Sequence, residues 1–283
     1  MAQNLQSLKK RIKTAQNISQ IARAMEMIAA SKIKKAQKTV LNNKPYAEKI
    51  TEILNKMLES AGGDDFEHPY MKTNEGAARK LVIAISPDKG LAGALNSNLY
   101  KKLLEFKADA TDVVAIGKKI ERFAVRMGYK IIATFPFGTR FPEYSVIYPL
   151  TDIIKQHYIG KNAAEVHVLF TEFKSIFSLA PSSAKLLPIQ YPLIEGESKE
   201  FPYKFEPGPD FILRELIPYY VEVKLYNAIV QAYTSEQAAR MVAMGGAKDN
   251  ALEIMNFITL TYNKIRQERI TNEILDLANG RIG

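Results

Sequence analysis

Residues 1–61 contain no glycine, and residues 209–283 contain it only at Gly245, Gly246, Gly280 and Gly283. Each glycine inside a helix costs about 1 kcal/mol relative to alanine. Two long stretches nearly free of it, each with apolar residues on one stripe, predict extended helices at both ends of the chain. Near the start, Leu5, Leu8, Ile12 and Ala15 step by three and four, and Ile18, Ala22, Met25, Ala29, Ile33, Ala36 and Val40 continue the stripe. From Ile18 to Ala29 to Val40 the repeat is eleven residues, which predicts a nearly straight or slightly right-handed pairing. At about 1.5 Å per residue, residues 3–43 span roughly 60 Å. Many stripe positions are alanine, so a partner helix can approach closely.

Asn42-Asn43-Lys44-Pro45 predicts a kink or break, because proline removes a backbone donor and crowds the preceding turn. Helical character resumes through Ile50, Ile53, Leu54, Met57 and Leu58 and stops at Gly62-Gly63. From Asp210 the pattern returns, with Pro218 near its start. Ala251, Ile254, Ile258, Thr261 and Ile265 step by three and four, a coiled-coil-like seam. A continuous helix from Tyr219 to Asn279 runs roughly 90 Å. Gly245-Gly246 marks either a bend or a place where another backbone comes close.

The middle of the chain changes period. Leu81–Ile85, Asp112–Ile116, Lys130–Thr134 and Val166–Phe170 are short apolar runs of buried-strand type. Helical patterns at Asn98–Phe106, Lys118–Met127 and Thr151–Tyr158 separate them. Strands alternating with helices predict a mostly parallel sheet covered on both faces. Phe173–Leu179 and Lys185–Tyr191, joined by a turn at Pro181-Ser182-Ser183, predict a hairpin extending the sheet edge. Ile194–Pro209 is a connector. The chain thus divides into an N-terminal helix (1–61), an α/β domain with connector (62–208) and a C-terminal helix (209–283).

Composition narrows the chemistry. The 283 residues include no cysteine, which excludes disulfides, thiolate metal sites and cysteine nucleophiles. His68, His157 and His167 are far apart, which argues against a zinc or haem site. The N-terminus lacks the layout of a signal or transit peptide, and no window approaches 18 consecutive apolar residues. These features predict a soluble protein that stays where it is made. Gly90-Leu-Ala-Gly93 follows the first strand as a phosphate-binding turn would. It lacks both the third glycine of a dinucleotide site and the Gly-Lys-Ser/Thr of a P-loop, so a structural turn is the better reading. No catalytic set can be assembled. The net charge of +9 is concentrated at the start: residues 1–60 hold 12 Lys/Arg and 4 Glu (12 − 4 = +8), whereas 208–283 hold 8 Lys/Arg and 9 Asp/Glu (8 − 9 = −1). A basic helix of this kind binds nucleic acid, anionic lipid or an acidic protein surface, or is simply a solvated face.

Ala24-Met-Glu-Met-Ile-Ala-Ala-Ser-Lys32, after Ile18 and Ile21, resembles the N-terminal helix of the γ subunit of F-type ATP synthases. Ser235-Glu-Gln-Ala-Ala-Arg-Met-Val-Ala-Met244 with Asp249-Asn250-Ala251, then Tyr262-Asn-Lys-Ile-Arg-Gln267 and Ile270-Thr-Asn-Glu273, resemble its C-terminal helix. Asp88-Lys-Gly-Leu91 with Gly93 is similar to the family's loop after the first strand. The sequence departs from the family pattern at Ser86-Pro87, at Gly245-Gly246 and Lys248, at Glu268-Arg269 and at Gly280-Arg281. It lacks the cysteine-bearing insert of chloroplast forms, which points to a bacterial origin.

The resemblance implies a long antiparallel coiled coil of the N- and C-terminal helices, with a Rossmann-like α/β domain inserted between them. It implies a non-catalytic central rotor, one copy per complex, inside a hexamer of alternating α and β subunits. The α/β domain would then lie against the ε subunit and the membrane-embedded c-ring, at the cytoplasmic face of the membrane. No cofactor, metal or nucleic acid is implied. By position, Met25, Arg240, Gln267, Thr271 and Glu273 match residues that contact β, and Tyr203 and Glu206 match residues facing the c-ring and ε. The basic N-terminal helix fits an acidic protein surround. Two other readings compete on the residues alone: a basic coiled-coil adaptor for nucleic acid, and a nucleotide-binding enzyme using the turn at Gly90–Gly93.

Overall fold

The computed structural model describes residues 2–61, 66–190, 206 and 208–279, with side-chain environments for all of these except 2–4, 41–44, 278 and 279. The chain forms two compact units: residues 1–30 with 240–283, and residues 31–239. The first helix, α1 (Ala2–Ser60), and the last, α5 (Pro209–Asn279), each belong in part to both. The stop expected at Gly62-Gly63 and most of the connector 194–209 lie outside the described residues.

The break expected at Pro45 does not occur, and α1 runs through it. A helical proline costs about 3 kcal/mol. Ile50, Leu54, Met57 and Leu58 are all buried just beyond it, each contributing about 1.5–3 kcal/mol. Tertiary packing therefore outweighs the local defect. The same reasoning covers Pro218, which sits inside α5 between the buried Leu213, Ile217, Val221 and Leu225. That helix begins at Pro209. A proline suits the first turn, where its missing N–H has no intrahelical partner, and Asp210 places an acid at the positive end.

The larger unit holds a five-stranded sheet made of β1 (Lys80–Ile85), β2 (Thr111–Ile116), β3 (Lys130–Phe135), β4 (Glu165–Phe173) and β5 (Leu179–Leu187). The strand order is β3-β2-β1-β4-β5, with all neighbours parallel except β5, which runs antiparallel to β4. Helices α2 (Leu95–Leu103) and α3 (Lys118–Arg126) cover one face, where Leu99, Leu103, Ile120 and Ala124 meet Val82, Ala84, Val113 and Ala115. Helix α4 (Tyr148–Ile159) covers the other together with the 31–60 part of α1 and the 209–239 part of α5. There Leu54, Ile154 and Leu225 meet Ile83, Val114 and Val168. The mostly parallel, two-faced sheet expected from the strand–helix alternation is present.

The hairpin turn lies elsewhere than expected. Pro181-Ser182-Ser183 is inside β5, with Pro181 opposite Thr171, and the chain reverses at Lys174–Ser178, where the Ser178 N–H donates to Ser175 Oγ at 3.1 Å. Proline is tolerated here because β5 is an edge strand, whose outward N–H groups have no ladder partner to lose.

Candidate functional site

In the smaller unit the two helices pair along a narrow seam. On α1 the buried residues Leu8, Ala15, Ala22 and Ala29 recur every seven positions, with Ser19 between them. On α5 Met244, Ala251 and Ile258 do the same. Burial every seven residues is the spacing of a left-handed coiled coil, so the eleven-residue reading of the stripe is corrected. The reason is side-chain size. The small residues at the heptad positions let the helices close, whereas Ile18 (50% exposed), Met25 (36%) and Ile254 (52%) remain exposed, Ile18 and Ile254 lining an open cavity between the helices. Glu26 meets Gly245 and Lys248, while Ser7 to Ile18 face Ala247 to Ile258 across a cavity of about 440 Å³. The helices therefore run antiparallel.

Gly245 and Gly246 behave differently. A Cβ on Gly245 would lie 3.3 Å from Glu26 Oε1, whereas one on Gly246 would meet nothing. The helix continues through both. Gly245 is thus a notch for a side chain, neither a bend nor a backbone crossing. Through it Glu26 reaches Lys248, whose Nζ donates to Glu26 Oε2 at 3.0 Å and lies 3.6 Å from Asp249 Oδ1. The carboxylates, Glu26 first, hold the Lys248 pKa above its ordinary value. The sequence alone did not disclose this pair, because its partners are 222 residues apart.

The outside of this unit is apolar as well as basic. Ile21, Met27, Ile28, Phe257 and Leu260 are each more than half exposed, as are Ile274 and Leu277 farther along α5. Of the residues matched to β contacts, Met25 is on this outer surface and Arg240 is half-buried. Gln267, Thr271 and Glu273 are exposed roughly 40 Å farther along α5 than Arg240, so the set does not converge on one spot. Thr271 Oγ1 donates to the Gln267 carbonyl at 3.0 Å, and Arg269 Nε pairs with Glu273 at 2.8 Å. Glu206 is exposed, and Tyr203 lies outside the described residues.

In the α/β unit, the ends of β1 and β2 are tied together. Gly117 has φ +99°, and a Cβ there would come within 1.9 Å of the Ser86 carbonyl oxygen. The first amides of α3 are occupied from within: Lys118 N–H donates to Asp88 Oδ1 at 2.9 Å and Ile120 N–H to Ser86 Oγ at 2.9 Å. Asp88 Oδ2 also accepts the Gly138 N–H at 2.8 Å. An anion at this helix start would have to displace the chain's own carboxylate. The cavity of about 560 Å³ beyond β2 and β3 has apolar walls at Phe135, Phe137, Phe141 and Ile229. Its polar neighbours Thr139, Arg140, Glu143 and Ser145 are all exposed.

At the opposite edge, Glu165 accepts from Lys80 (2.6 Å), Lys185 (3.0 Å) and His167 (3.1 Å). The Lys80 bond, then the His167 bond, lower its pKa to about 2. Burial drives the His167 pKa down. Arg79 fastens Asp112 at 2.6 Å across β2. These ion pairs stitch strand ends.

A sequence profile described as ATP synthase matches residues 4–281. An ATP synthase gamma chain of Herpetosiphon aurantiacus is 36% identical over 284 residues, covering 96% of both chains. One from Dehalococcoides mccartyi is 38% identical over 282 residues, covering 98% of both. Among solved structures, the fold is similar to a chain of the Euglena gracilis mitochondrial ATP synthase OSCP/F1/c-ring assembly. The TM-score is 0.69, with 16% identity, over 99% of this chain and 94% of that one. A chain of the Tetrahymena thermophila mitochondrial ATP synthase central stalk/c-ring structure aligns at TM-score 0.60, with 22% identity, over 80% and 99%. Extent and identity together decide membership: the chain belongs to the ATP synthase gamma chain family.

Proposed function

We propose that this chain is the central rotor shaft of a bacterial F1Fo ATP synthase, one copy per complex. It transmits torque between the membrane c-ring and the hexamer of α and β subunits, and so couples ion flow to ATP synthesis or hydrolysis. It performs no catalysis itself, which belongs to β. The observation that carries this reading is the two-helix unit. Its seam is thin and alanine-rich, and its outward face carries Ile21, Ile28, Phe257, Leu260 and Leu277 more than half exposed. Large apolar side chains exposed in this number on one unit are expensive in water and point to an interaction surface. A sleeve of surrounding subunits removes the cost while leaving the two-helix unit free to turn within it.

In this reading residues 1–61 and 209–283 supply the axle, and residues 62–208 supply the foot that meets ε and the c-ring, with Tyr203 and Glu206 at that contact. Met25, Arg240, Gln267, Thr271 and Glu273 meet β at successive levels of the axle. The complex holds the chain as a peripheral subunit at the cytoplasmic face of the membrane. Among the described residues no helix is long and apolar enough to cross it.

The test is assembly with α and β subunits and observation of a bead fixed to the α/β unit during ATP hydrolysis. Unidirectional rotation is expected; a chain that does not join the hexamer sinks the reading. A finer test is Met25→Lys. The new cation would pair with a β carboxylate and hold one rotor angle, so fewer ions should be pumped per ATP hydrolysed. Unchanged pumping would remove Met25 from the contact set.

A further inference from the structure

His68 is a buried titratable group to which the rotor reading gives no role. It stands in the segment between α1 and β1, and its side chain is buried. Its Nδ1 accepts the Tyr70 N–H at 3.1 Å, and its carbonyl accepts the Met71 N–H at 2.9 Å and the Lys72 N–H at 3.2 Å. Other elements pin this turn in place. The Ile189 N–H donates to the Tyr70 carbonyl at 2.8 Å, and the Tyr158 hydroxyl donates to the Lys72 carbonyl at 2.7 Å. A neutral imidazole whose Nδ1 is an acceptor carries its one proton on Nε2. The ring therefore offers a single donor.

That donor has a matching orphan on α5. Pro218 has no N–H, so the carbonyl four residues back, that of Arg214, has lost its helical donor. The Arg214 backbone hydrogen-bonds the His68 ring in the sense that favours the protonated imidazole, and only a carbonyl acts in that sense. Burial first, then the Arg214 cation, outweigh it and hold the His68 pKa below its ordinary value. The other charged and titratable groups at the turn act on its remaining residues. Glu222 of α5 and Asp152 of α4 act on the Tyr70 phenol, Tyr158 of α4 lies edge-on to the Tyr70 ring, and Glu67 pairs with Lys72 at 2.8 Å. Protonation of His68 would set a second donor, Nδ1–H, against the Tyr70 N–H. Two donors cannot share that contact, so the ring must leave and the Arg214 carbonyl loses its substitute donor.

We propose that His68 is an acid-sensitive latch on α5, donating Nε2–H to the Arg214 carbonyl that Pro218 leaves open and letting go when Nδ1 is protonated. The latch belongs to the α/β unit and stands whether or not the chain is a rotor. Because the folded-state pKa is the lowered one, its hold is complete above the ordinary histidine value of 6.5 and is lost as pH falls through the depressed pKa.

The experiment uses the full-length chain, 15N-labelled at its three histidines, with His68 assigned by its missing signals in His68→Gln. At about pH 7.5, long-range 1H–15N spectra should show His68 with its proton on Nε2 and a bare Nδ1. The opposite tautomer, or an imidazolium at that pH, overturns the proposal. Hydrogen exchange of the α5 amides around Pro218 then reads the latch. His68→Ala should speed it about tenfold, the effect of leaving a carbonyl unpaired. In Pro218→Ala, where a backbone N–H returns to Arg214, the same change should speed it less than about threefold. His68→Gln keeps a donor but cannot titrate, so it should hold wild-type protection and remove the loss of protection between about pH 7.5 and 5. Equal acceleration in both backgrounds, or an acid loss that persists in His68→Gln, defeats the latch and leaves His68 a packing residue. If His68→Ala does not fold, the wild-type tautomer and the His68→Gln exchange profile decide the matter alone.

Discussion

The two units treat apolar surface in opposite ways. In residues 31–239, sheet and helices close on each other, and Ile83, Leu99, Ile120, Ile154 and Leu225 are at most 1% exposed. In residues 1–30 with 240–283, the buried seam consists largely of alanine, while Ile28 (57%), Phe257 (71%) and Leu277 (73%) stand in the open. A seam of small side chains buries little area, at roughly 25 cal/mol per Å². The smaller unit is therefore weakly held by its own contacts and invites covering by other chains, whereas the larger one is self-sufficient. The contrast separates a unit that buries its own apolar residues from one that leaves many of them exposed.

The largest expected effect strikes at that contrast. Ile154→Ala should cost about 2–5 kcal/mol in urea unfolding of the α/β unit. Phe257→Ala should stay within about 0.5 kcal/mol in the isolated chain, yet weaken assembly with the hexamer. Equal costs at the two sites would end the distinction. Next, Gly117→Ala forces a side chain into a left-handed backbone and against the Ser86 carbonyl. A loss of about 1–3 kcal/mol is expected; wild-type stability would mean that the junction of β1 and β2 gives way easily.

A pH scan probes the ionic edge of the larger unit. The folded-state pKa of Glu165 is lowered from 4.5 to about 2. Its stabilisation is therefore fully present above pH 4.5 and is lost as pH falls through 2. His167, with its pKa also lowered, works in the same sense at higher pH. Glu165→Gln should flatten the acid limb of the stability curve, and an unchanged limb would assign acid sensitivity elsewhere.

The smallest effect belongs to the axle. Gly246→Ala enters open space and should stabilise by about 0.5–1 kcal/mol. Gly245→Ala should gain less, because Glu26 must shift. Circular dichroism melts of the two variants should rank them in that order.

How much was legible beforehand depended on range. Glycine-poor, striped ends announced α1 and α5, and the alternation of apolar runs with helical patterns announced a two-faced parallel sheet. Proline misled twice, at Pro45 and at Pro181. Its local penalty is visible in sequence, but the burial around Leu54 and the edge position of β5 are not. Both Ile18 and Ile254 fitted the stripe by spacing, yet the helices closed on the alanines beside them. In the candidate contact set, family likeness supplied Met25, Arg240, Gln267, Thr271 and Glu273, and the structure added that Met25 is on α1 and how far apart along α5 the other four lie.

What the sequence determined by itself was the kind and order of elements, because periodicity, glycine content and charge act within a few turns of chain. Only the tertiary structure decided which stripe residues are buried and that Gly245 is a notch for Glu26. It alone set Asp88 on the first amides of α3. Those outcomes depend on side chains brought together from distant parts of the chain, where packing and desolvation outweigh local propensity.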